Sequence, residues 1–242
     1  MTINWDIKIL SAVESTQDIA HDAVRDGADE GYVVQAMKQS SARGRNGRAW
    51  EAPMGNIYMS LVLRPTCGLE HVGELAFVIA VGLSNALDEY IDPNKHKKTL
   101  KWPNDILVDG LKISGILLET DMSNDNELEA VVVGIGLNVF QSPEFAVSLS
   151  KVAKEPVYVN RVRDKVLEEI SKAYRLWQEE GITPIRMKWL RHAHGLGKKM
   201  TAHLPNEKCE GIFEGLSEDG ALILKQEDGE RRITNAGDVH FG

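Results

Sequence analysis

The chain has 242 residues and a formal net charge of -8, which sets long-range repulsion against polyanions and disfavours general nucleic-acid binding. Hydrophobic residues at 43% and charged residues at 26% suit a globular protein with a sizeable core, and no apolar run is long enough to span a bilayer. Two cysteines, Cys67 and Cys209, are too few for a disulfide framework or a zinc site, and Asp6 and Lys8 interrupt the N-terminal apolar residues where a secretory signal would not, so reduced thiols and a cytoplasmic location are expected.

Ser15 and Thr16 precede QDIAHDAVRDGAD, where Ile19, Ala20, Ala23 and Val24 fall at helical spacing and Gly27 is placed to end the helix. NIYMSLVLRP alternates Ile57, Met59, Leu61 and Leu63 with Tyr58, Ser60 and Val62 and stops at Pro65, the pattern of a strand. The residues from 72 to 91 read as a long, mostly apolar helix. In DILVDGLKISGILLE, Asp109-Gly110 between two β-rich runs predicts a hairpin, with Lys112 just past its turn. EAVVVGIGLNV reads as a buried strand through Val131, Val132 and Val133 that enters a turn marked by Gly134 and Gly136 and closed by Asn138. Asn160 is placed to cap a helix carrying Val162, Val166, Leu167, Ile170, Ala173, Tyr174 and Trp177 on one stripe, and Thr183-Pro184 to start another at its N-cap and first position.

Beyond Gly197 come short strands, KKMTAHL, CEGIFEGL, ALILKQ and RRITNA, separated by Pro205-Asn206, Asp219-Gly220 and Asp228-Gly229. They predict a small β-barrel, and without a Pro/Ser-rich linker it should dock directly on the main domain.

The segment SSARGRNGRAW, residues 40–50, concentrates Arg43, Arg45 and Arg48 between glycines in an acidic chain. Three readings compete: a nucleic-acid arm, opposed by the net charge and the lack of interleaved aromatics; a solvated surface run; and a clamp for a small anion, in which glycine gives backbone freedom and arginine supplies fixed donors. The segment alone does not choose among them. A P-loop is excluded, because Gly197-Lys198 lacks the upstream glycine and the following Ser or Thr. His192 and His194 read as surface histidines.

Taken together, EST at 14–16, QSSARGRNGRAW, KWPNDILVDGLKISGILLE and VVVGIGLNV resemble, in content, order and spacing, the biotin protein ligases. The resemblance covers nearly the whole chain, and KWPND followed by KxxGIL is its most specific part. It implies an α+β fold: a catalytic domain over 1–195 like the class II aminoacyl-tRNA synthetase core, with a mixed sheet and helices, and an SH3-like barrel over 196–242. It implies ATP with magnesium as co-substrate, biotin as substrate, and as partner a biotin carboxyl carrier protein domain of a carboxylase, with neither nucleic acid nor membrane; a homodimer is left open. So few residues precede Ser15 that no DNA-binding domain is expected and no repressor function follows. A lipoate-type ligase and a catalytically silent binder of biotin or nucleotide are the alternatives.

By the same resemblance Lys112, Arg43 and Arg45 are the catalytic residues. Ser15, Thr16, Gln17, Gln39, Arg43, Gly44, Arg45, Lys112, Gly115, Gly134 and Gly136 bind biotin, the glycines by letting backbone approach the ligand. Arg48, Trp50, Asn104, Asp105 and Asn138 bind nucleotide, and the metal ligands are unassigned. Residues 43–48 would form a loop that is mobile without ligand and closes over the adenylate. Trp50 is either an adenine platform or a core residue, Asp105 either a site residue or a turn residue, and Ser15 with Asp18 also resembles a helix cap. Three positions depart from the family pattern: Ala42 replaces a glycine, Gln17 a common asparagine, and Asn46 an often basic residue.

Overall fold

The computed structural model describes residues 3–204, 207–234 and 237–241. Strand β3 (Ile57–Leu63) is buried along its entire length, as a run apolar on both sides of the pleat requires, and it forms the centre of the main sheet. That sheet has seven strands: β1 (Asp6–Leu10), β2 (Tyr32–Ala36), β3, β4 (Lys98–Lys101), β5 (Asp105–Val108), β6 (Leu111–Met122) and β7 (Leu128–Leu137), in the order β1-β2-β3-β7-β6-β5-β4. Only β1 and β2 run parallel, joined through α1 (Thr16–Arg25); every other pair is antiparallel. The sheet is therefore mixed, as expected.

Its two faces are covered unequally. One carries Ile57, Met59 and Leu61 against α2 (Glu74–Asp88), α4 (Val159–Glu180) and α5 (Ile182–Arg191), and this is the main core. Gly82 of α2 earns its place there: a Cβ would stand 2.8 Å from the Ile170 Cα, so only glycine lets α2 lie this close to α4. The other face carries Val34, Val62 and Val132 against Ala20 and Val24 of α1. That cover is short, and beyond the start of α1 the sheet face is left free to build a cavity.

Two helix starts differ from expectation. Helix α4 begins at Val159 with Tyr158 as its cap residue, so Asn160 lies inside its first turn. Helix α5 begins at Ile182 after Gly181, whose φ of 73° breaks it from α4; Thr183 and Pro184 sit in the first turn, where a missing N–H costs nothing. The predicted 72–91 helix is shorter, at Glu74–Asp88. The Asp109-Gly110 turn is as predicted, with both residues at positive φ, 52° and 83°.

The C-terminal strands β8 (Lys199–His203), β9 (Lys208–Leu216), β10 (Leu222–Lys225), β11 (Arg231–Thr234) and β12 (Asp238–Phe241) form an antiparallel sheet in the order β11-β10-β9-β8-β12. Gly220 and Gly229 take the left-handed conformation their predicted turns need, φ 84° and 88°, while the Pro205-Asn206 turn lies outside the described residues. The sheet docks directly on the main core. Trp189 meets Phe77 and Phe213 edge-on at 5.5 and 6.5 Å, and the Trp102 indole N–H donates to the Gly220 carbonyl at 3.3 Å. Among the described residues no helix is long and apolar enough to cross a membrane.

Candidate active site

Directly opposite residues of an antiparallel pair share a face, so the register of β6 on β7 (Gly115 with Gly136, Leu117 with Gly134, Glu119 with Val132) puts a glycine-rich floor and one carboxylate on the free side of the sheet. The first residues of α1, the segment 39–50, the start of β5 and the C-terminal sheet wall in this floor. The resulting cavity is about 300 Å³.

A spacing of three between Lys112 and Gly115 would put them on opposite faces of a regular strand. The β5–β6 register shifts between Ile106 and Leu107, leaving Ile113 as an extra, buried residue, and the bulge turns Lys112 onto the Gly115 side. This is the structural meaning of the KxxG spacing. Lys112 Nζ then lies 2.6 Å from Asp105 Oδ1, an ion pair without the alignment of a hydrogen bond, and 5.0 Å from the Trp50 ring centre.

The arginine segment forms a small hairpin where the resemblance implies a mobile loop. Arg43 bridges Ala49, the Trp50 N–H donates to the Ala42 carbonyl at 3.0 Å, and the Gly44 N–H to the Arg48 carbonyl at 2.7 Å. Asn46 and Gly47 make the turn at φ 56° and 69°. Asparagine tolerates that left-handed conformation better than a long basic side chain, which accounts for its presence. Ala42 is not among the positive-φ residues, so the backbone asks for no glycine there.

Each cation in the site faces a carboxylate. Arg43 Nε and Nη2 donate to Glu119 Oε1 and Oε2 at 3.1 and 3.0 Å, its Nη1 to Ser15 Oγ at 3.3 Å, and the same Nη1 lies 2.7 Å from Asp18 Oδ1. Arg45 donates to the Gly237 carbonyl at 3.4 Å, and Arg48 pairs with Asp238, so the hairpin is tied to the C-terminal sheet. Behind Arg43, His21 sits between Asp121 Oδ2 (2.6 Å) and Glu119 Oε2 (3.1 Å). Hydrogen bonding from His21, then from Arg43 and Gln17, holds the Glu119 carboxyl down at about 2 against the desolvation that would raise it. The same contact with Glu119 raises His21, and Arg43 is raised by it too.

Next to the Arg43–Glu119 pair the walls are hydroxyls and amides. Ser15 and Thr16 are 3% exposed and Gln17 is 4% exposed; the Thr16 N–H donates to Gln39 Oε1 at 2.6 Å, and Ser60 Oγ to Thr16 Oγ1 at 2.9 Å. Ser15 holds the cap position of α1 but makes no side-chain cap bond, and Asp18 is taken by Arg43, so the expected capping arrangement is absent. Gln17 Nε2 donates to Glu119 Oε2 at 2.9 Å and to the Val132 carbonyl at 3.5 Å, while its Oε1 is buried with no partner.

Of the residues expected in the site, all but Asn138 line this one cavity: Ser15, Thr16, Gln17, Gln39, Arg43, Gly44, Arg45, Arg48, Trp50, Asn104, Asp105, Lys112, Gly115, Gly134 and Gly136. Asn138 lies behind it, its Nδ2 donating to the Val147 carbonyl at 3.4 Å and its own carbonyl accepting from the Leu149 N–H at 2.8 Å, which ties the end of β7 to the following loop and α3 (Leu149–Val152). The strand glycines make room for protein side chains: a Cβ on Gly136 would stand 2.7 Å from the Trp50 ring, one on Gly115 3.1 Å from it, and one on Gly134 2.9 Å from Gln17 Oε1. Trp50 is therefore packed on the cavity floor, with its buried indole N–H unpartnered. Sequence reasoning missed Glu119, His21, Asp121 and Asp238. A carboxylate in step with Gly115 and Leu117 on a strand was the available signal for Glu119.

Known proteins were compared with this chain. A profile described as the Biotin/lipoate A/B protein ligase family matches residues 10–138, and one described as the biotin protein ligase C-terminal domain matches 195–242. The biotin–[acetyl-CoA-carboxylase] ligase of Paracoccus denitrificans is 38% identical over 86% of this chain and 90% of its own. The bifunctional ligase/repressor BirA of Bacillus subtilis is 35% identical over 95% of this chain and 72% of its own. Among solved structures, the biotin protein ligase from Aquifex aeolicus in complex with biotin and ATP superposes with a TM-score of 0.84 at 28% identity, covering 98% of this chain and 99% of that one. With family profiles over residues 10–138 and 195–242 and a fold shared over 98% of the chain with a solved biotin protein ligase, this protein belongs to the biotin protein ligase family.

Proposed function

We propose that the chain activates biotin with ATP and transfers it to a lysine of a biotin carboxyl carrier domain. The observation that carries this reading is the lining of one cavity: buried hydroxyls and an unpartnered amide oxygen, with Arg43 beside them, at the Glu119 end, and Lys112 with Asp105 at the Gly115 end, with Arg45 and Arg48 on the wall between the hairpin and the C-terminal sheet. A cyclic urea on an apolar body that ends in a carboxylate matches that lining. In the first step a biotin carboxylate oxygen attacks the α-phosphorus of ATP and diphosphate leaves. In the second, the carrier lysine amine attacks the carbonyl of biotinyl-5'-AMP, AMP leaves, and the amine loses a proton.

Lys112, Arg43 and Arg45 are the groups that gather two mutually repelling anions, and their partners Asp105, Glu119 and Asp238 hold them in place until the ligands arrive. Arg48, Asn104 and Asp105 border the nucleotide side. Trp50 offers adenine a ring face only if it leaves the floor it now covers. Asn138 supports the site from behind. The described residues contain no group of three or more His, Cys, Asp or Glu able to hold a metal. Magnesium is expected to arrive on the phosphates of ATP, the ordinary mode for this ion.

The main sheet with its helices reads as a class II synthetase-like catalytic domain over 1–195, and the C-terminal sheet as an SH3-like barrel over 196–242. A cytoplasmic location goes with this reading. Internal pairing of Arg43, Arg45 and Arg48 argues against a nucleic-acid arm. Biotin-dependent exchange of labelled diphosphate into ATP tests the assignment, and exchange driven by lipoate instead would replace it, since a dithiolane has no donor for the buried amide oxygen.

A further inference from the structure

We propose that Glu119 determines which end of the Gln17 amide lies over the Gly134 floor of the cavity, leaving Oε1 there as the acceptor for a ligand N–H and thereby selecting a urea ring over an apolar one. This rests on the biotin-ligase reading above and names a positioning residue within it. The two ends of an amide have nearly the same shape, so only their neighbours decide which way it lies. Here the neighbours are Glu119 Oε2 at 2.9 Å and the Val132 carbonyl at 3.5 Å, both acceptors. Reversed, the amide would set its oxygen against a carboxylate and a carbonyl and leave its NH2 over Gly134.

Glu119 cannot turn away to accommodate that. Its two oxygens are held by the fork of Arg43 at 3.1 and 3.0 Å, and Oε2 also contacts His21 Nε2 at 3.1 Å. The carboxyl stays ionised, with an ordinary value of 4.5 brought down to about 2, so at neutral pH it accepts and never donates. The consequence is Gln17 Oε1, a buried acceptor without a partner, over a glycine whose Cβ would stand 2.9 Å away. A ligand with an N–H at that point supplies the missing bond, and a ring without one leaves the oxygen desolvated, a discrimination of about 10- to 100-fold. The glutamine side chain is long enough to carry its amide from α1 to the carboxylate on β6.

Glu119→Gln tests this, because its own NH2 removes the bias on Gln17 while keeping the shape. Calorimetric binding of biotin is compared with two biotin analogues, each methylated at one ureido nitrogen. Wild type should reject one analogue about 10- to 100-fold. In E119Q, biotin Kd should rise about 10-fold or more and the rejection should shrink, whatever change in kcat comes from loosening Arg43. In a Gln17→Met background, Glu119→Gln should add little to the loss of biotin affinity. Full additivity, a loss confined to kcat, or an unchanged Kd overturns the proposal and shows Glu119 acting through Arg43 or not at all. If E119Q does not fold, Gln17→Met alone decides: it must weaken biotin and spare one methylated analogue, and equal weakening of all three ligands overturns the proposal. Failure of the wild type to bind biotin would instead sink the functional reading, which separates the two.

Discussion

Gly136→Ala is expected to damage the site by evicting Trp50. The added methyl would stand 2.7 Å from Trp50 Cε2, 2.8 Å from Cζ2 and 3.1 Å from Nε1. Ring atoms cannot bend out of the way, and the ring lies across both floor glycines, with the Gly115 Cβ position 3.1 Å from Cζ3, so it cannot shift sideways along the floor without staying over one of them. The indole must therefore lift by about 0.7 Å or more, an overpacking that costs about 1–3 kcal/mol. Lys112 Nζ lies 5.0 Å from the ring centre and moves with it. A displacement approaching 1 Å at a charge-bearing group can lower the rate about 100-fold. Urea unfolding gives the stability and diphosphate exchange gives the rate. Trp50→Ala in the same chain removes the clash, so the double variant should be no less stable than Trp50→Ala alone. A Gly136→Ala protein as stable as wild type, or one whose loss persists without the indole, would refute the argument that this glycine exists for Trp50.

Other outcomes follow from the same geometry. Lys112→Ala should fold normally and lose adenylate formation by about 100- to 1,000-fold in single-turnover assays, the scale for removing one preorganised donor; unchanged turnover removes Lys112 from the chemistry. Asp238→Asn should release Arg48, leaving Arg45 only its Gly237 carbonyl, and speed amide hydrogen exchange across residues 43–49, with stability changed by no more than about 1 kcal/mol because Arg48 is exposed. Glu119 has its carboxyl lowered from 4.5 to about 2, so its contribution, of order 3 kcal/mol, is fully present above pH 4.5 and is lost as pH falls toward 2; acid unfolding of Glu119→Gln should lack that component. His21 is shifted the opposite way, above 6.5, so its contribution is present below 6.5 and lost as pH rises through the raised value. A His21→Gln comparison that showed the loss on the acid side would contradict that sign.

The parts of the fold that could be read from sequence are those with local causes. Asp109-Gly110 needs two positive φ values and little else, so the hairpin was legible. The run NIYMSLVL announced a strand, although its place at the centre of the sheet was visible only in the structure. Strands β1 and β2 were not legible, because DIKIL and YVVQA are five residues each and their parallel pairing is set by the sheet rather than by either sequence. Asn160 and Thr183-Pro184 carry good capping chemistry, yet tertiary packing started both helices earlier, at Val159 and Ile182. In the site, the motif residues other than Asn138 came together on one cavity, while Glu119 went unassigned within a quoted motif. Its role depends on the register that sets it opposite Val132 and within reach of α1, information that no neighbouring residue carries.

The central claim is that this cavity makes biotinyl-5'-AMP and delivers its acyl group to a carrier lysine. The most direct test incubates the purified protein with ATP, magnesium, biotin and a carboxylase carrier domain, then examines the carrier by intact mass. The account predicts one biotinyl group on one lysine, dependent on ATP and lost in Lys112→Ala. An unmodified carrier, or modification by lipoate and not by biotin, would contradict it.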